Sequence, residues 1–376
     1  MTFDSLALVR PEVRALRPYA AGRPIEELER ELGIDHAVKV SANENALGPS
    51  PLALEALARS AVGANRYPDG GGFYLKRRLA RELAVEPEML ALGAGSNELI
   101  ELLVHLFVAP GDEVVVSHPT FLMYGVSVRM LGGTLVAVPG RGLEHDLDAM
   151  LATVGPRTRL IIVCNPNNPT GTMVGREAWS RFLDRVPPGV VVVSDEAYHE
   201  YVEDPAYPRT IDDLARDLPL VILRTFSKIH SLAGLRVGYA IARPEMAALF
   251  DRVRLPFNVS APAQAAATAA LDDIEHVARS RAVVREGRAL LLSALPALGI
   301  AAHPSHANFI LADLGRPARP VCDALERRGI VLRDLVAWGM GTGLVRITIG
   351  TDDENQTFLA ALEAVLGEAA AGVAGR

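Results

Sequence analysis

A lysine just past the end of a short apolar run is the residue of this sequence best placed to do chemistry. Lys228 follows a run that begins at Val221, and among the 38 lysine and arginine residues only Lys39 and Lys76 share its type. An arginine side chain stays protonated, whereas a desolvated lysine can lose its proton and attack a carbonyl carbon. A lysine kept in such an arginine-rich chain indicates amine chemistry; the alternative is a chance lysine in a surface loop.

Side chains that can bind an anion lie close to this lysine along the chain. Thr225 and Ser227 precede it, and Arg236 follows it after a short glycine-containing segment. Two hydroxyl groups and a guanidinium near an amine suit the phosphate group of a bound cofactor that carries an aldehyde.

These residues belong to the pattern T-F-S-K-x-x-x-L-A-G-L-R-x-G, which begins at Thr225. The pattern resembles the pyridoxal-phosphate lysine motif of the fold-type I aminotransferases of class I/II, and most closely that of the histidinol-phosphate aminotransferases. Further motifs extend the resemblance over nearly the whole chain. It implies that Lys228 binds pyridoxal 5'-phosphate covalently, and that Thr225, Ser227 and Arg236 hold its phosphate group.

The elements that must position these residues alternate between strands and helices. Runs such as V-V-V-V-S-D and L-I-I-V-C are apolar throughout, which is typical of a mostly parallel sheet with helices on both faces. Active sites in such α/β sheets lie at the carboxyl ends of the strands. Seven strands are predicted, at Met89 to Leu92, Glu113 to Ser117, Thr134 to Val138, Arg159 to Cys164, Val190 to Ser194, Leu218 to Arg224 and Val237 to Ala242.

A second, smaller α+β unit is predicted from about Pro262 onward. One long or interrupted helical region precedes short strands at Asn308 to Ala312, Ile330 to Leu332 and Leu344 to Thr348, with further helices among them. The resemblance implies the two-domain fold of a fold-type I pyridoxal-phosphate transferase. The expected division is an N-terminal arm with part of the small domain at 1–45, a large pyridoxal-phosphate-binding domain at 46–261 and a small C-terminal domain at 262–376.

Length and composition agree with this class of protein. A chain of 376 residues with 49% hydrophobic and 22% charged residues is typical of a soluble enzyme with two domains. The net charge of -7 argues against a nucleic-acid partner. No segment approaches the roughly 18 consecutive apolar residues of a membrane span, and the start lacks the layout of a secretory signal. We therefore expect a cytoplasmic protein.

The cysteines and histidines give no sign of a metal site. Cys164 and Cys322 lie far apart in apolar contexts and are expected to be buried structural thiols. His303 and His306 are close in sequence but lack a matching second pair of ligands. We expect no bound metal.

A glycine turn follows the first predicted strand. The segment G-A-G-S-N starts at Gly93 and leads into a helix, so free backbone N–H groups and the positive end of the helix dipole can bind an anion. A dinucleotide-binding turn is the alternative, but Glu98 stands where its third glycine would be. The resemblance implies that Gly95, Ser96 and Asn97 bind the cofactor phosphate.

Two further strand ends carry polar residues. The segment C-N-P-N-N-P-T-G reads by itself as a rigid turn, and the resemblance implies that its Asn168 hydrogen-bonds the phenolic oxygen of the cofactor. Asp195 follows a run of valines, where a carboxylate is costly to bury unless it is paired. A protonated ring nitrogen would be its partner, and a role as helix N-cap is the alternative. Tyr198 is expected to share the phenolic oxygen with Asn168.

Aromatic residues complete the expected cofactor site. Phe121, in S-H-P-T-F, corresponds to the family aromatic that stacks on the pyridine ring, where many relatives have tyrosine; ordinary core packing is the alternative. Tyr67, in N-R-Y-P-D, reads by itself as part of a turn. In the family this tyrosine reaches the cofactor phosphate of the neighbouring subunit, which implies a homodimer with shared sites.

Two arginines are expected to bind substrate. Arg346 lies in an apolar strand and corresponds to the family arginine that binds an α-carboxylate by a bidentate contact. Arg333 corresponds to the second substrate arginine, which meets the distal anion. A salt bridge within the protein is the alternative for each. Tyr19 in the arm and Asn45 in the loop N-E-N-A-L-G-P-S complete the expected substrate-binding set.

The resemblance predicts a ping-pong aminotransferase that acts on histidinol phosphate and 2-oxoglutarate in L-histidine biosynthesis, with Lys228, Asp195 and Tyr198 as its catalytic residues. An aromatic amino-acid aminotransferase is the main alternative, and a pyridoxal-phosphate decarboxylase of an amino-acid phosphate is a more distant one. Such domains also serve as ligand sensors in transcription regulators, but the chain has no helix-turn-helix pattern and no basic excess. The expected partners are small-molecule substrates and a second copy of the chain, with no nucleic acid and no membrane.

Overall fold

Two β-sheets organise the chain. The computed structural model describes residues 5–16 and 24–374. In that part, the strands are β1 (Val38–Val40), β2 (Leu90–Gly93), β3 (Glu113–His118), β4 (Thr134–Pro139), β5 (Thr158–Cys164), β6 (Val191–Asp195), β7 (Leu220–Thr225), β8 (Gly238–Ala242), β9 (Ala301–Ala302), β10 (Phe309–Asp313), β11 (Ile330–Asp334) and β12 (Leu344–Thr348).

Helices pack around both sheets. In the same described ranges they are α1 (Pro11–Arg14), α2 (Ile25–Leu32), α3 (Pro51–Ala61), α4 (Phe73–Leu83), α5 (Ser96–Phe107), α6 (Leu122–Met130), α7 (Leu147–Ala152), α8 (Arg176–Leu183), α9 (Pro244–Phe250), α10 (Ala261–Ala270), α11 (Ile274–Ala297), α12 (Ala318–Glu326) and α13 (Asp352–Ala374). Short 3₁₀ helices connect several of these elements.

The larger sheet has seven strands in the order β2-β8-β7-β6-β5-β3-β4. Neighbouring strands are parallel except around β8, which runs antiparallel to both β2 and β7. The structure therefore confirms the predicted seven-stranded, mostly parallel sheet. Each strand begins and ends within two residues of its predicted bounds.

Successive residues of the central strands pack on opposite faces of this sheet. Ile161 of β5 and Ile222 of β7 contribute to one core together with Trp179 of α8, whereas Ile162 and Leu223 contribute to the core on the other face. Because helices cover both faces, these strands need no polar face, which explains their unbroken apolar runs.

The smaller sheet has five strands in the order β1-β11-β12-β10-β9, and only β1 and β11 are parallel neighbours. Its core includes Phe309 of β10 and Phe358 of α13. Three of its strands match the predicted ones. The other two, β1 and β9, have three and two residues, too few to produce a periodic pattern that the sequence analysis could detect.

The long helical region predicted after Pro262 is two helices, α10 and α11. Asp273 begins the second helix by accepting a hydrogen bond from the backbone N–H of His276 at 2.9 Å. A side-chain acceptor at this position satisfies one of the backbone N–H groups that have no partner within the helix. The region is thus interrupted by a helix cap rather than continuous.

The described residues lack two features, and both of their cysteines are free. No helix there is long and apolar enough to cross a membrane. The same residues contain no group of three histidine, cysteine, aspartate or glutamate side chains arranged to hold a metal ion. Cys164 and Cys322 are both buried free thiols.

A buried ion pair ties the end of β6 to β7. The Glu196 carboxylate accepts hydrogen bonds from Arg224 Nε at 2.9 Å and from Ser194 Oγ at 3.0 Å, and it also binds the Thr210 hydroxyl. Glu196 is 1% exposed and Arg224 is 8% exposed. Because a buried carboxylate needs its cation, this pair anchors the chain directly after Asp195.

Replacing Arg224 with methionine is expected to lower the free energy of unfolding by about 3–5 kcal/mol, because Glu196 would stay buried without its cation. Arg157→Met is the matched control. The Arg157 side chain is 73% exposed in its ion pair with Glu113, so its loss is expected to be below about 1 kcal/mol. Urea denaturation followed by circular dichroism measures both changes, and equal losses would contradict the prediction.

Candidate active site

The carboxyl ends of the larger sheet's strands open into a cavity that residues of the smaller sheet also line. Its empty volume, counted to the open mouth, is about 910 Å³, a size that suits a small molecule or cofactor. Eleven of the residues that the sequence analysis assigns to the site lie in its wall. The wall consists of Ser41, Ala42, Asn43, Ser96, Asn97, Phe121, Cys164, Asn168, Asp195, Ala197, Tyr198, Thr225, Ser227, Lys228, Ala233, Arg236, Trp338 and Arg346.

The amine of Lys228 reaches this cavity from the turn after β7. Its Nζ donates a hydrogen bond to the Ala42 carbonyl oxygen at 3.3 Å and lies 5.8 Å from the centre of the Tyr198 ring. Burial first, and then the positive charge of Arg346, lower the pKa of the amine from 10.5 to about 8. Near neutral pH this lysine is therefore neutral more often than an ordinary lysine, as attack on a carbonyl requires.

One part of the cavity presents backbone N–H groups and a guanidinium, groups that can bind an anion. Gly95 precedes α5 with a φ of +81°, and Ser96 and Asn97 present the first backbone N–H groups of that helix. Arg236 Nη1 donates to the Ser227 hydroxyl at 3.4 Å. A Cβ atom at Gly95 would lie 2.4 Å from Arg236 Nη2, so glycine lets the guanidinium approach this turn.

Two hydroxyl groups complete the anion-binding part. Thr225 Oγ1 donates to Ser227 Oγ at 2.9 Å, and the Ser227 backbone N–H donates to Thr225 Oγ1 at 3.1 Å. Gly238 of β8 passes directly beneath the turn, since a Cβ atom there would lie 2.8 Å from the backbone nitrogen of Ser96. The absence of a side chain at Gly238 therefore lets β8 pack against the start of α5.

Asp195 places a buried carboxylate in the same cavity. It is 3% exposed; its Oδ2 accepts from the Tyr124 hydroxyl at 2.6 Å, and its Oδ1 accepts from the Ala197 backbone N–H at 3.3 Å. Burial raises the pKa of Asp195 to about 6, and no cation of the described residues contributes to that value. The alternative role as helix N-cap is wrong, because only a 3₁₀ helix follows, beginning at His199.

A chain of hydrogen bonds crosses from the larger sheet to the smaller one. Asn168 Nδ2 and Asn43 Nδ2 both donate to the Tyr198 oxygen, at 3.1 and 3.0 Å. Arg346 Nη1 donates to Asn168 Oδ1 at 2.7 Å. Since both asparagines use the Tyr198 oxygen as an acceptor, the O–H group of Tyr198 can itself donate to a ligand. Burial raises the pKa of Tyr198, so this phenol keeps its proton.

Arg346 lies between two aromatic rings. The carbon of its guanidinium is 5.5 Å from the centre of the Phe309 ring and 5.8 Å from that of the Trp338 ring. Its Nη2 donates to the Ser41 carbonyl oxygen at 2.7 Å. Arg333 of β11 is the register partner of Arg346, so both side chains are on the same face of the smaller sheet.

Asn45 does not line the cavity, and Asn43 lies there instead. Asn45 Nδ2 donates to the Ile229 carbonyl and to the Ser280 hydroxyl, each at 2.9 Å. Asn43 is 1% exposed and has a φ of +56°, a conformation that asparagine adopts more readily than most residues. The two asparagines are equivalent in the sequence N-E-N, and only the turn of the backbone distinguishes them.

Of the other expected residues that the structure describes, Gly95, Arg333 and Tyr67 are not among those that line the cavity. Arg333 is on the same sheet face as Arg346 but outside the wall. Tyr67 is 83% exposed and its ring stacks on that of Phe257, with ring centres 4.7 Å apart. Tyr19 lies outside the residues that the structure describes.

Two aromatic residues of the site, Tyr124 and Trp338, are not among those predicted from the sequence. Tyr124 lies three residues after Phe121, the residue that precedes α6, and the two rings are in contact, so this spacing is a usable signal. Trp338 belongs to the 3₁₀ helix Val336–Trp338 after β11. No motif marks Trp338, because its place in the wall depends on the packing of two sheets that are far apart in sequence.

The arrangement fits pyridoxal 5'-phosphate, which carries an aldehyde, a phosphate group and a basic ring nitrogen. Lys228 could supply the amine, and Arg236 with the start of α5 could bind the phosphate group. Asp195 is the most informative residue, since a buried carboxylate without a cation in the described protein is satisfied when a protonated ring nitrogen binds beside it.

In the cofactor-free protein, labelling of Lys228 by an amine reagent is expected to follow a pKa of about 8. Only the neutral amine reacts, so the rate should rise with pH through this value and then level off. Because the chain has only three lysines, mass spectrometry of a digest resolves each of them.

Arg346→Met tests the cause of the shift. Removing a nearby positive charge is expected to move the labelling midpoint of Lys228 to higher pH. A midpoint near 10.5 in the unaltered protein would show that burial and Arg346 do not act on this amine.

Comparison with known proteins agrees with this geometry. The sequence profile described as Aminotransferase class I and II matches residues 35–362. The chain is 47% identical over 358 residues to the histidinol-phosphate aminotransferase of Moorella thermoacetica, a match that covers 95% of this chain and 92% of that protein. It is 48% identical over 365 residues to histidinol-phosphate aminotransferase 2 of Pseudomonas aeruginosa, with 96% and 99% covered.

Solved structures extend the comparison to the fold. The crystal structure of histidinol-phosphate aminotransferase from Sinorhizobium meliloti in complex with pyridoxal-5'-phosphate matches with a TM-score of 0.88 and 32% identity, covering 98% of this chain and 99% of that one. The match includes both sheets, so the α/β architecture is that of the fold-type I enzymes. On the profile match and the identity to these relatives, the chain belongs to the class I and II aminotransferase family.

Proposed function

We propose that this protein is a pyridoxal-phosphate-dependent aminotransferase that exchanges an amino group between histidinol phosphate and 2-oxoglutarate in L-histidine biosynthesis. The substrate assignment depends on one observation. Over at least 94% of its length the chain is 44–48% identical to eight relatives named histidinol-phosphate aminotransferase. The cavity described above supports the class of reaction.

Lys228 carries the central role. When bound, pyridoxal phosphate supplies an aromatic ring that accepts the electrons left on the substrate carbon as a proton is removed. Lys228 would hold the cofactor through its amine. When that amine is free, it would accept a proton from the substrate carbon and return it. A pKa of about 8 supports both tasks, because the amine is readily neutral.

Other cavity residues would hold the ring of the cofactor. Asp195 would keep the ring nitrogen protonated, and Asn168 would hydrogen-bond the phenolic oxygen. The O–H group of Tyr198 is available to donate to the same oxygen, because Asn168 and Asn43 both use the Tyr198 oxygen as an acceptor. Phe121 lies in the cavity wall and would stack on the ring face.

The anion-binding part of the cavity would hold the phosphate group. The residues that would supply its backbone N–H groups, hydroxyl groups and guanidinium are Gly95, Ser96, Asn97, Thr225, Ser227 and Arg236. The helix dipole and the charge-assisted hydrogen bonds of Arg236 would stabilise a doubly charged phosphate group at this place.

A homodimer would complete this phosphate site. Tyr67 is 83% exposed on its own chain and does not line that chain's cavity. It stacks on Phe257, so an aromatic pair is presented at the surface. We assign to Tyr67 the role of reaching the phosphate in the neighbouring subunit, so that each cavity contains residues of both copies.

The division of the chain follows from the same scheme. We propose an arm with part of the small domain at 1–45, a cofactor-binding domain at 46–261 and the rest of the small domain at 262–376. The larger sheet uses only strands between residues 90 and 242, and the smaller sheet combines β1 with strands that follow residue 300. A biosynthetic role in the metabolism of soluble amino-acid precursors supports a cytoplasmic location.

Two arginines would bind the anionic groups of the two kinds of substrate. Histidinol phosphate has no carboxylate, so Arg346 would chiefly bind the α-carboxylate of glutamate in the other half-reaction. Arg333, on the same sheet face, would meet the substrate phosphate together with Tyr19. We assign to Asn45 the indirect role of fixing the loop through Ile229 and Ser280, so that Asn43 faces the cavity.

Lys228→Arg is expected to lower turnover by about ten-thousand-fold or more, because a guanidinium neither attaches the cofactor nor transfers the proton. Lys39→Arg is the matched control, since arginine can keep the ion pair that Lys39 makes with Glu44 at 3.0 Å. Steady-state turnover with glutamate and a 2-oxo acid measures both variants. Turnover near normal in Lys228→Arg would rule out the proposed role of Lys228.

Substrate preference separates this proposal from an aromatic amino-acid aminotransferase. In single-turnover mixing of the cofactor-loaded protein, the cofactor absorbance is expected to change faster with histidinol phosphate than with phenylalanine. Arg333→Gln should slow the reaction with histidinol phosphate by about ten-fold or more and have a smaller effect with phenylalanine, because a charge-assisted bond to phosphate is lost. A faster reaction with phenylalanine would make the protein an aromatic aminotransferase and would remove the phosphate role of Arg333.

A further inference from the structure

Tyr124 lies directly behind the cavity wall, in contact with the buried carboxylate. It is 0% exposed, and its hydroxyl donates to Asp195 Oδ2 at 2.6 Å. The helix that carries it, α6, begins immediately after Phe121. The rings of Phe121 and Tyr124 meet edge to face, with centres 5.6 Å apart and planes at 85°.

We propose that Tyr124 is a positioning residue that keeps Asp195 an oriented, ionised carboxylate able to pair with a protonated ring nitrogen. The inference rests on the proposed pyridoxal-phosphate chemistry and adds to it a residue that does not touch the cofactor. Tyr124 acts through Asp195. The start of α6 therefore joins Phe121, which would stack on the cofactor ring, to Tyr124, which orients the carboxylate that would pair with the ring nitrogen.

The surroundings of Asp195 explain why its ionised form needs a hydrogen-bond donor. Its register partners on the neighbouring strands are Cys164 and Leu223, neither of which carries a positive charge. The next residue, Glu196, is a like charge and is itself paired with Arg224. A carboxylate in such a place favours its neutral form unless hydrogen bonds stabilise the charge.

Tyr124 supplies the stronger of two such hydrogen bonds. Burial raises the pKa of Asp195 to about 6, and among the effects that oppose this rise the Tyr124 bond is the largest, ahead of the Ala197 backbone N–H. A neutral carboxylic acid could not hold a proton on the ring nitrogen, because it would keep that proton itself. Loss of the Tyr124 hydroxyl therefore moves the shared proton from the ring nitrogen toward Asp195.

Tyr124 is suited to remain a donor. Burial and the nearby charge of Asp195 raise the pKa of its phenol well above the ordinary value, so the O–H proton stays in place. The side chain is 0% exposed within the core on the α5 and α6 side of the larger sheet, so it has little room to change rotamer. With Oδ2 bound by Tyr124 and Oδ1 by Ala197, the plane of the carboxylate is fixed.

Tyr124→Phe tests the inference, because it removes the hydroxyl and keeps the ring that fills the core. The protein is loaded with pyridoxal phosphate labelled with ¹⁵N at the ring nitrogen. In the variant, the ¹⁵N NMR signal is expected to move toward that of a neutral pyridine nitrogen. We expect kcat to fall about ten- to one-hundred-fold, as for loss of a hydrogen bond to a charged group, with KM changed far less.

Tyr201→Phe is the matched control. Tyr201 is also a buried tyrosine, at 2% exposure, and within the described part of the chain its hydroxyl has no hydrogen-bond partner. This variant loses a buried hydroxyl without touching Asp195, so its ¹⁵N signal should stay at the position of the unaltered protein. An equal shift in both variants would show a general effect of core substitution and would overturn the inference.

If the Tyr124→Phe protein binds the cofactor poorly, a second measurement tests the inference without cofactor. The cofactor-free proteins are compared at about pH 7.5 by infrared spectroscopy. In Tyr124→Phe we expect the band of a protonated carboxyl group. In the unaltered protein this band should be much weaker, because the pKa of Asp195 in that protein is about 6. Asp195→Asn identifies the band by removing it. A band of equal strength with and without the Tyr124 hydroxyl would overturn the inference.

The outcomes also separate this inference from the proposed function. If the unaltered protein binds no pyridoxal phosphate, the proposed function itself fails. If it binds the cofactor and Tyr124→Phe leaves both the ¹⁵N signal and kcat unchanged, only the role of Tyr124 fails. In the Asp195→Asn background, adding Tyr124→Phe should cause little further loss of kcat, because the two residues act as one unit.

Discussion

Hydrogen bonds between β5, β6 and β7 decide which residues meet at the edge of the larger sheet. Asp195 pairs in register with Cys164 on one side and Leu223 on the other, and the three strands run in the same direction. The turns that carry Asn168 and Lys228 therefore leave the sheet beside Asp195. A slip of one residue in β6 would turn Asp195 to the opposite face, so the chemistry depends on a register that the packed apolar side chains fix.

The smaller sheet contributes to the site through side chains that cross to the larger one. Arg346 of β12 donates to Asn168 at 2.7 Å and to the Ser41 carbonyl at 2.7 Å, while Asn43 joins Tyr198 to Thr348. All of these groups are buried. Because an unsatisfied buried polar group is costly, the two sheets cannot separate at this point without losing several bonds together. The contacts that line the cavity therefore also join the two sheets.

Much of this arrangement follows from local sequence. Strands such as β6 and β7 are unbroken apolar runs, and the polar residues that end them, such as Asp195, are visible because they interrupt the pattern. The features that could not be predicted from the sequence depend on packing between residues that are far apart in the chain. The strand β1 has three residues and forms only against β11, some 290 residues later. Asn43 and Asn45 differ only in the direction of a turn, and Trp338 reaches the cavity only because both sheets are folded.

The position of Trp338 has an optical consequence. The chain contains only two tryptophans. Trp179 is 1% exposed in the core of the larger sheet, where it packs on Phe182, whereas Trp338 forms part of the cavity wall beside Arg346. A molecule bound in the cavity can therefore contact Trp338 and change its emission, whereas Trp179 is shielded from such contact by the core. Of the two tryptophans, Trp338 is thus the one placed to report the occupancy of the site.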